Sequence, residues 1–140
     1  MNVINVSLQM MPTSTLKKIL VVDEEQEVLT HLTNILKRAN YQVISTTKGK
    51  EAVDLSLKLK PDLIILDILL PDLEGSQVAS TLKENSSTSG IPIIFLTGML
   101  SKKEEEFLGG KRGRDYVLAK PVTQEELLGL VSKALVSSIE

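Results

Sequence analysis

Five polar residues stand where short apolar runs stop. Residues 18–22 (KILVV) run into Asp23 and Glu24; residues 62–67 (DLIILD) end on Asp67; residues 91–97 (IPIIFLT) end on Thr97; residues 116–120 (YVLAK) end on Lys120, with Pro121 next. Function in open α/β sheets collects at the carboxyl ends of the strands, so these residues are expected on one rim. Three carboxylates held close repel one another, and a hard, oxygen-seeking cation such as Mg²⁺ suits such acids. A lysine ammonium supplies a compact positive charge for a phosphoryl oxygen, and a threonine hydroxyl can donate a further hydrogen bond. The chemistry that this set suggests is the handling of phosphate beside a divalent cation.

The elements that must hold these residues follow from hydrophobic periodicity. The three runs above that end in acids or threonine are apolar on both faces and need cover above and below. Residues 41–46 and 116–120 supply two further strands, and amphipathic stretches lie between the runs. Val28, Leu32, Ile35, Leu36 and Ala39 recur at helical spacing, with Glu27, Thr30, His31 and Asn34 on the other side. Residues 52–59, 76–83 and 102–108 read as helices, the last stopped by Gly109 and Gly110. Thr123 with Glu126 makes a capping box before Leu127, Leu130, Val131, Ala134 and Leu135. Strand and helix thus alternate five times, and right-handed crossovers imply a mainly parallel sheet.

Composition narrows the functions. The chain is 42% hydrophobic but only 3% aromatic, so Leu, Ile and Val must build the core, as in a parallel sheet covered by helices. A net charge of -2 gives no field to gather nucleic acid or an anionic membrane surface, so neither is an expected partner. The absence of cysteine removes disulfides and thiolate chemistry. With no signal peptide or membrane span in the sequence, the expected location is the cytoplasm. His31, the only histidine, falls on the polar helix face, away from the acidic rim, and is not read as a phosphate carrier.

The order and wording of the motifs resemble the receiver domains of two-component response regulators. ILVVDEE resembles the family's acidic-pair strand, PDLIILDILLPDLEG its phosphoacceptor segment, IIFLTG its hydroxyl strand and LAKPVTQEEL its lysine-proline entry to the last helix. The resemblance covers residues 17–136 and implies a flavodoxin-like (βα)5 fold, a doubly wound five-stranded parallel sheet of order 2-1-3-4-5. It implies that Asp67 takes a phosphoryl group from a partner histidine kinase or phosphotransfer protein. Asp23, Glu24, Asp67 and the Leu69 carbonyl would hold Mg²⁺, while Thr97 and Lys120 contact the transferred group. It also implies a cis Lys120-Pro121 bond and an output made by contact with a downstream protein. Such a chain is a switch rather than an enzyme, promoting only its own phosphorylation and dephosphorylation.

Three departures bear on that expectation. Glu24 stands where the second acid is often Asp. Val117 stands where the family usually has an aromatic residue, and Tyr116, one position earlier, points to the other strand face, so coupling of phosphorylation to output is expected to differ. The interval from Thr97 to Lys120 is one residue longer than usual, with the insertion placed at residues 109–111. The competing classes are a pseudo-receiver acting as a constitutive protein-interaction module, and an aspartyl-phosphate hydrolase. The first would usually lack an acid, the threonine or the lysine; the second needs an acid at position 69, which is Leu69. Residues 1–15 read as an extension before a receiver domain at 16–140. Alternation of Ile4, Val6, Leu8 and Met10 with polar residues makes it either a tail or an extra strand, and a strand exchanged with a second copy would make a homodimer.

Overall fold

The structure is a computed structural model that describes residues 16–98 and 115–137. In chain order its elements are β1 (Lys18–Val22), α1 (Gln26–Arg38), β2 (Gln42–Thr46), α2 (Gly49–Leu59), β3 (Leu63–Asp67), α3 (Gly75–Glu84), β4 (Ile93–Thr97), β5 (Tyr116–Ala119) and α4 (Gln124–Ser137). All five strands are parallel, in the order β2-β1-β3-β4-β5. The parallel sheet expected from the apolar runs is therefore present, in the doubly wound order that the resemblance implies. The helix expected at residues 102–108, the insertion at 109–111 and the extension at 1–15 fall outside the described residues.

Strand alternation divides the core into two layers. Ile19, Val21, Leu63, Ile65, Ile94, Leu96 and Leu118 face α1 and α4, where they meet Leu29, Leu32, Ile35, Leu36, Leu127, Val131 and Ala134. Their neighbours Leu20, Val22, Ile64, Leu66, Ile93 and Phe95 face α2 and α3, against Ala52, Val78, Ala79 and Leu82. Two-sided burial is why β1, β3 and β4 read as continuous apolar runs, whereas the edge strands β2 and β5 keep partly exposed positions.

Local chemistry sets the helix ends. Thr123 and Glu126 form the expected box: the Glu126 N–H donates to Thr123 Oγ1 at 3.2 Å and the Thr123 N–H to Glu126 Oε1 at 3.4 Å. A second box, Glu74 with Gln77, opens α3 and was not expected from the sequence. The helix α2 starts at Gly49, three residues before the periodic apolar positions suggest, because an acceptor from a distant loop receives its first amides. In α1 the buried stripe is Leu29, Leu32, Ile35 and Leu36, with Val28 only partly covered.

Candidate functional site

The ends of β1, β3, β4 and β5 lie along one edge of the sheet. Strand pairing aligns Val22 with Leu66, Asp67 with Leu96, and Thr97 with Ala119. Asp23 follows Val22 directly, and its N–H donates to the Thr46 carbonyl at 3.3 Å. The Lys120 N–H donates to the Thr97 carbonyl at 2.8 Å, so one backbone hydrogen bond sets the residues that carry the hydroxyl and the ammonium side by side. The Lys120-Pro121 bond is cis.

Lys120 is the centre of the arrangement. Its Nζ lies 2.8 Å from Asp23 Oδ2, 3.4 Å from Asp67 Oδ2 and 3.8 Å from Glu25 Oε1. Asp23 is fully buried and Asp67 is 5% exposed. Asp23 Oδ1 accepts from the Glu25 N–H at 2.9 Å and so also secures the entry to α1. Asp67 Oδ1 accepts from the Leu69 N–H at 3.2 Å, which turns the chain just after the strand. Thr97 is also buried, and its Oγ1 has no hydrogen-bond partner among the described residues.

Burial and the nearby Asp23 charge push the Asp67 carboxyl up to about 6, against the opposing pull of Lys120 and the Leu69 amide. For Lys120, burial acts to lower its affinity for a proton. The hydrogen bond to Asp23 and the charges of Asp67 and Asp23 outweigh it, holding the ammonium above the ordinary lysine range. The site is thus a buried pair of acids bridged by one cation. Such a cluster accepts further positive charge readily, and the unpartnered Thr97 hydroxyl is available to an incoming oxygen.

Of the residues singled out in the sequence, Asp23, Asp67 and Lys120 are in mutual reach. Glu24 is solvent-exposed, and no group of three or more metal-ligating acid, histidine or cysteine side chains is gathered among the described residues. Glu25, to which the sequence reading gave no role, is the third acid near Lys120. The placing of His31 needs correction. It is exposed on α1, but its Nε2 is 3.1 Å from the Val122 carbonyl, and it lines a groove with Glu25, Lys120 and Pro121 rather than lying away from the acidic rim. The α1 helix packs beside the turn after β5, a tertiary neighbour that periodicity along α1 does not reveal. Tyr116 packs against the α1 and α4 layer with Lys133 Nζ 5.9 Å from its ring centre, while Val117 points out and is 44% exposed.

Gly75 also escaped the sequence reading as a site residue. Its N–H donates to the Ile68 carbonyl at 2.7 Å, and a Cβ at this position would lie 2.4 Å from the Asp67 carbonyl oxygen. The first turn of α3 therefore presses directly on the backbone that carries Asp67. A glycine eight residues after an acid-ended strand was visible, but nothing in the sequence distinguishes close approach from an ordinary helix start.

Fold and site together define a doubly wound parallel α/β module with buried acids and a lysine at the carboxyl ends of its strands. The response regulator receiver domain model matches residues 19–132, and the chain belongs to that family, the receiver domains of two-component systems. It is 38% identical over 122 residues to the alkaline phosphatase synthesis transcriptional regulatory protein PhoP of Bacillus subtilis, covering 85% of this chain and 48% of PhoP. The chain thus spans about half the length of that relative. It is 36% identical to protein PilH of Pseudomonas aeruginosa, covering 84% of this chain and 97% of PilH. A crystal structure of a CheY-like response regulator receiver domain protein from Methanospirillum hungatei superposes with a TM-score of 0.81 at 28% identity, covering 89% of this chain and 98% of that one. Among the described residues, no helix is long and apolar enough to cross a membrane.

Proposed function

We propose that this receiver domain is a working phosphoacceptor switch in which Asp67 is the nucleophile. The observation that carries the reading is the Lys120 ammonium held between two buried carboxylates, Asp23 and Asp67, at the carboxyl edge of the sheet. A structural ion pair needs one partner; a second buried acid on the same lysine leaves excess negative charge that hydrophobic packing does not require.

In the proposed reaction the Asp67 carboxylate attacks the phosphorus of a phosphohistidine on a sensor kinase or phosphotransfer protein. An O–P bond forms, the donor's P–N bond breaks, and the imidazole leaves with the electron pair. Lys120 moves its charge from Asp67 to a phosphoryl oxygen, and the Thr97 hydroxyl donates to another. Asp23, Glu24, Asp67 and the Leu69 carbonyl are the groups that would hold Mg²⁺, which when bound supplies positive charge for the phosphoryl oxygens. The product is a changed surface read by a downstream protein in the cytoplasm. No direct contact with nucleic acid is part of the reading, and the transcriptional role in the name of PhoP is not carried to this chain.

Incubation with acetyl phosphate and Mg²⁺ tests the proposal. The intact protein is expected to gain one phosphoryl group, and Lys120→Met to lose most of that gain. Equal incorporation with and without Lys120 would reject the role given to this lysine.

A further inference from the structure

The loop that follows Asp67 is closed at its base and tethered near its tip. At the base, the Gly75 N–H bonds the Ile68 carbonyl at 2.7 Å, pinching residues 68–75 into a closed turn. Toward the tip, Asp72 reaches across to α2. Its Oδ1 accepts from the Gly49 N–H at 2.7 Å and its Oδ2 from the Lys50 N–H at 3.0 Å, so both carboxylate oxygens are used on the first two amides of that helix. These amides, with that of Lys50 first, hold the Asp72 carboxyl below the usual range.

The helix has no cap of its own at this end. Lys48 occupies the N-cap position with extended backbone and gives no side-chain hydrogen bond, so α2 takes its cap from another segment. Gly49 is also tightly packed, since a Cβ there would come within 3.0 Å of Leu73 Cβ and Val78 Cγ2. Between the pinch and the tether lies Leu69, whose N–H positions Asp67 Oδ1. The loop's course is therefore set from outside the site, by a carboxylate whose partners belong to a helix on the α2 and α3 side of the sheet.

We infer that Asp72 is a positioning residue, a latch that fixes the loop after Asp67 and so preorganises the Leu69 backbone against the acid. The inference rests on the functional reading above for its effect on Mg²⁺, but not for its effect on the loop itself. Outer groups that orient a metal's ligands cost about 10- to 100-fold in affinity when removed, and an exposed tether belongs at the lower end.

The test compares wild type, Asp72→Asn, Asp72→Ala and the double variant Asp72→Ala/Lys48→Ser. Serine at the N-cap restores a local cap to α2 without tying the loop. The readouts are melting temperature, amide hydrogen exchange at Leu69 and Gly75, and Mg²⁺ affinity from titration with the metal alone. Asp72→Ala is expected to lower the melting temperature, speed exchange at both amides and weaken Mg²⁺ on the order of tenfold. The double variant recovers the melting temperature but neither of the other two, and Asp72→Asn, which keeps one acceptor oxygen, falls between wild type and Asp72→Ala. If the double variant recovers slow exchange and Mg²⁺ affinity as well, Asp72 only caps a helix and the latch is rejected. Unchanged exchange at Leu69 and Gly75 in Asp72→Ala also rejects it. A wild type that fails to bind Mg²⁺ counts against the site reading, while exchange at the two amides still decides the latch.

Discussion

Gly75 approaches Asp67 so closely that a single added methyl would sit 2.4 Å from the Asp67 carbonyl oxygen and 2.8 Å from Ile68 Cα. Both obstacles are backbone, so neither can swing aside as a side chain would. Replacing glycine by alanine in a helix normally gains about 1 kcal/mol in propensity. Here the forced displacement costs more, about 1 to 3 kcal/mol. Gly75→Ala is therefore predicted to destabilise the protein in urea unfolding and to slow phosphorylation, since the strain falls on the peptide that carries the nucleophile. A more stable variant would show that the approach is looser than described.

Asp67 titrates on the unfavourable side for stability. Its folded value of about 6 lies above the ordinary 3.8, so the folded protein binds this proton more readily than the unfolded chain does. Below 3.8 both states are protonated and nothing is lost. As pH rises from there through 6, the folded state loses stability, and above 6 the cost is complete. Asp67→Asn removes the ionisation, so in buffer with chelator it should exceed wild type by up to about 3 kcal/mol at pH 7.5, the pull of Lys120 being already contained in the folded value. The difference should vanish below pH 4. Urea unfolding at several pH values measures it, and a constant difference across that range would contradict this origin.

Leu69 is 58% exposed at the rim of the site and offers no hydrogen bond from its side chain. Its side chain would give no hydrogen-bond partner to water attacking an aspartyl phosphate at Asp67. Leu69→Asn adds one, and a net hydrogen bond of 0.5 to 1.5 kcal/mol corresponds to a phosphorylated-state lifetime shortened about two- to tenfold. Following the decay of phosphorylated protein by mass after removal of acetyl phosphate is the check. An unchanged or longer lifetime would remove Leu69 from this role. Met99, two residues beyond Thr97 as Leu69 is two beyond Asp67, lies outside the described residues.

Much of the fold was legible because buried parallel strands must be apolar on both faces, and β1, β3 and β4 are. The polar residues at their ends, Asp23, Asp67 and Thr97, together with Lys120 after β5, then read as one rim, and the order of the sheet came with the family resemblance. What stayed hidden depends on contacts between elements distant in sequence. Asp72 reads as a turn residue until Gly49 and Lys50 are beside it. Gly75 reads as a helix start until Asp67 is beneath it. Glu25 is the N-cap of α1 and His31 lies between one and two turns further on, and their neighbour, the turn from Lys120 to Val122, is distant in sequence, with Val122 91 residues from His31. Periodicity says which face of a helix is polar; it does not say what that face meets.

The central claim is that Asp67 accepts the phosphoryl group. Wild type and Asp67→Asn treated with acetyl phosphate and Mg²⁺, reduced with borohydride and digested, give the site directly by peptide mass mapping, because borohydride converts an aspartyl phosphate to homoserine. The account predicts homoserine at position 67 in the wild type and no phosphoryl incorporation in Asp67→Asn, since the amide lacks the nucleophilic carboxylate. Incorporation that persists in Asp67→Asn, or a wild type that incorporates none while binding its partners, would contradict it, the latter leaving a constitutive interaction module in its place.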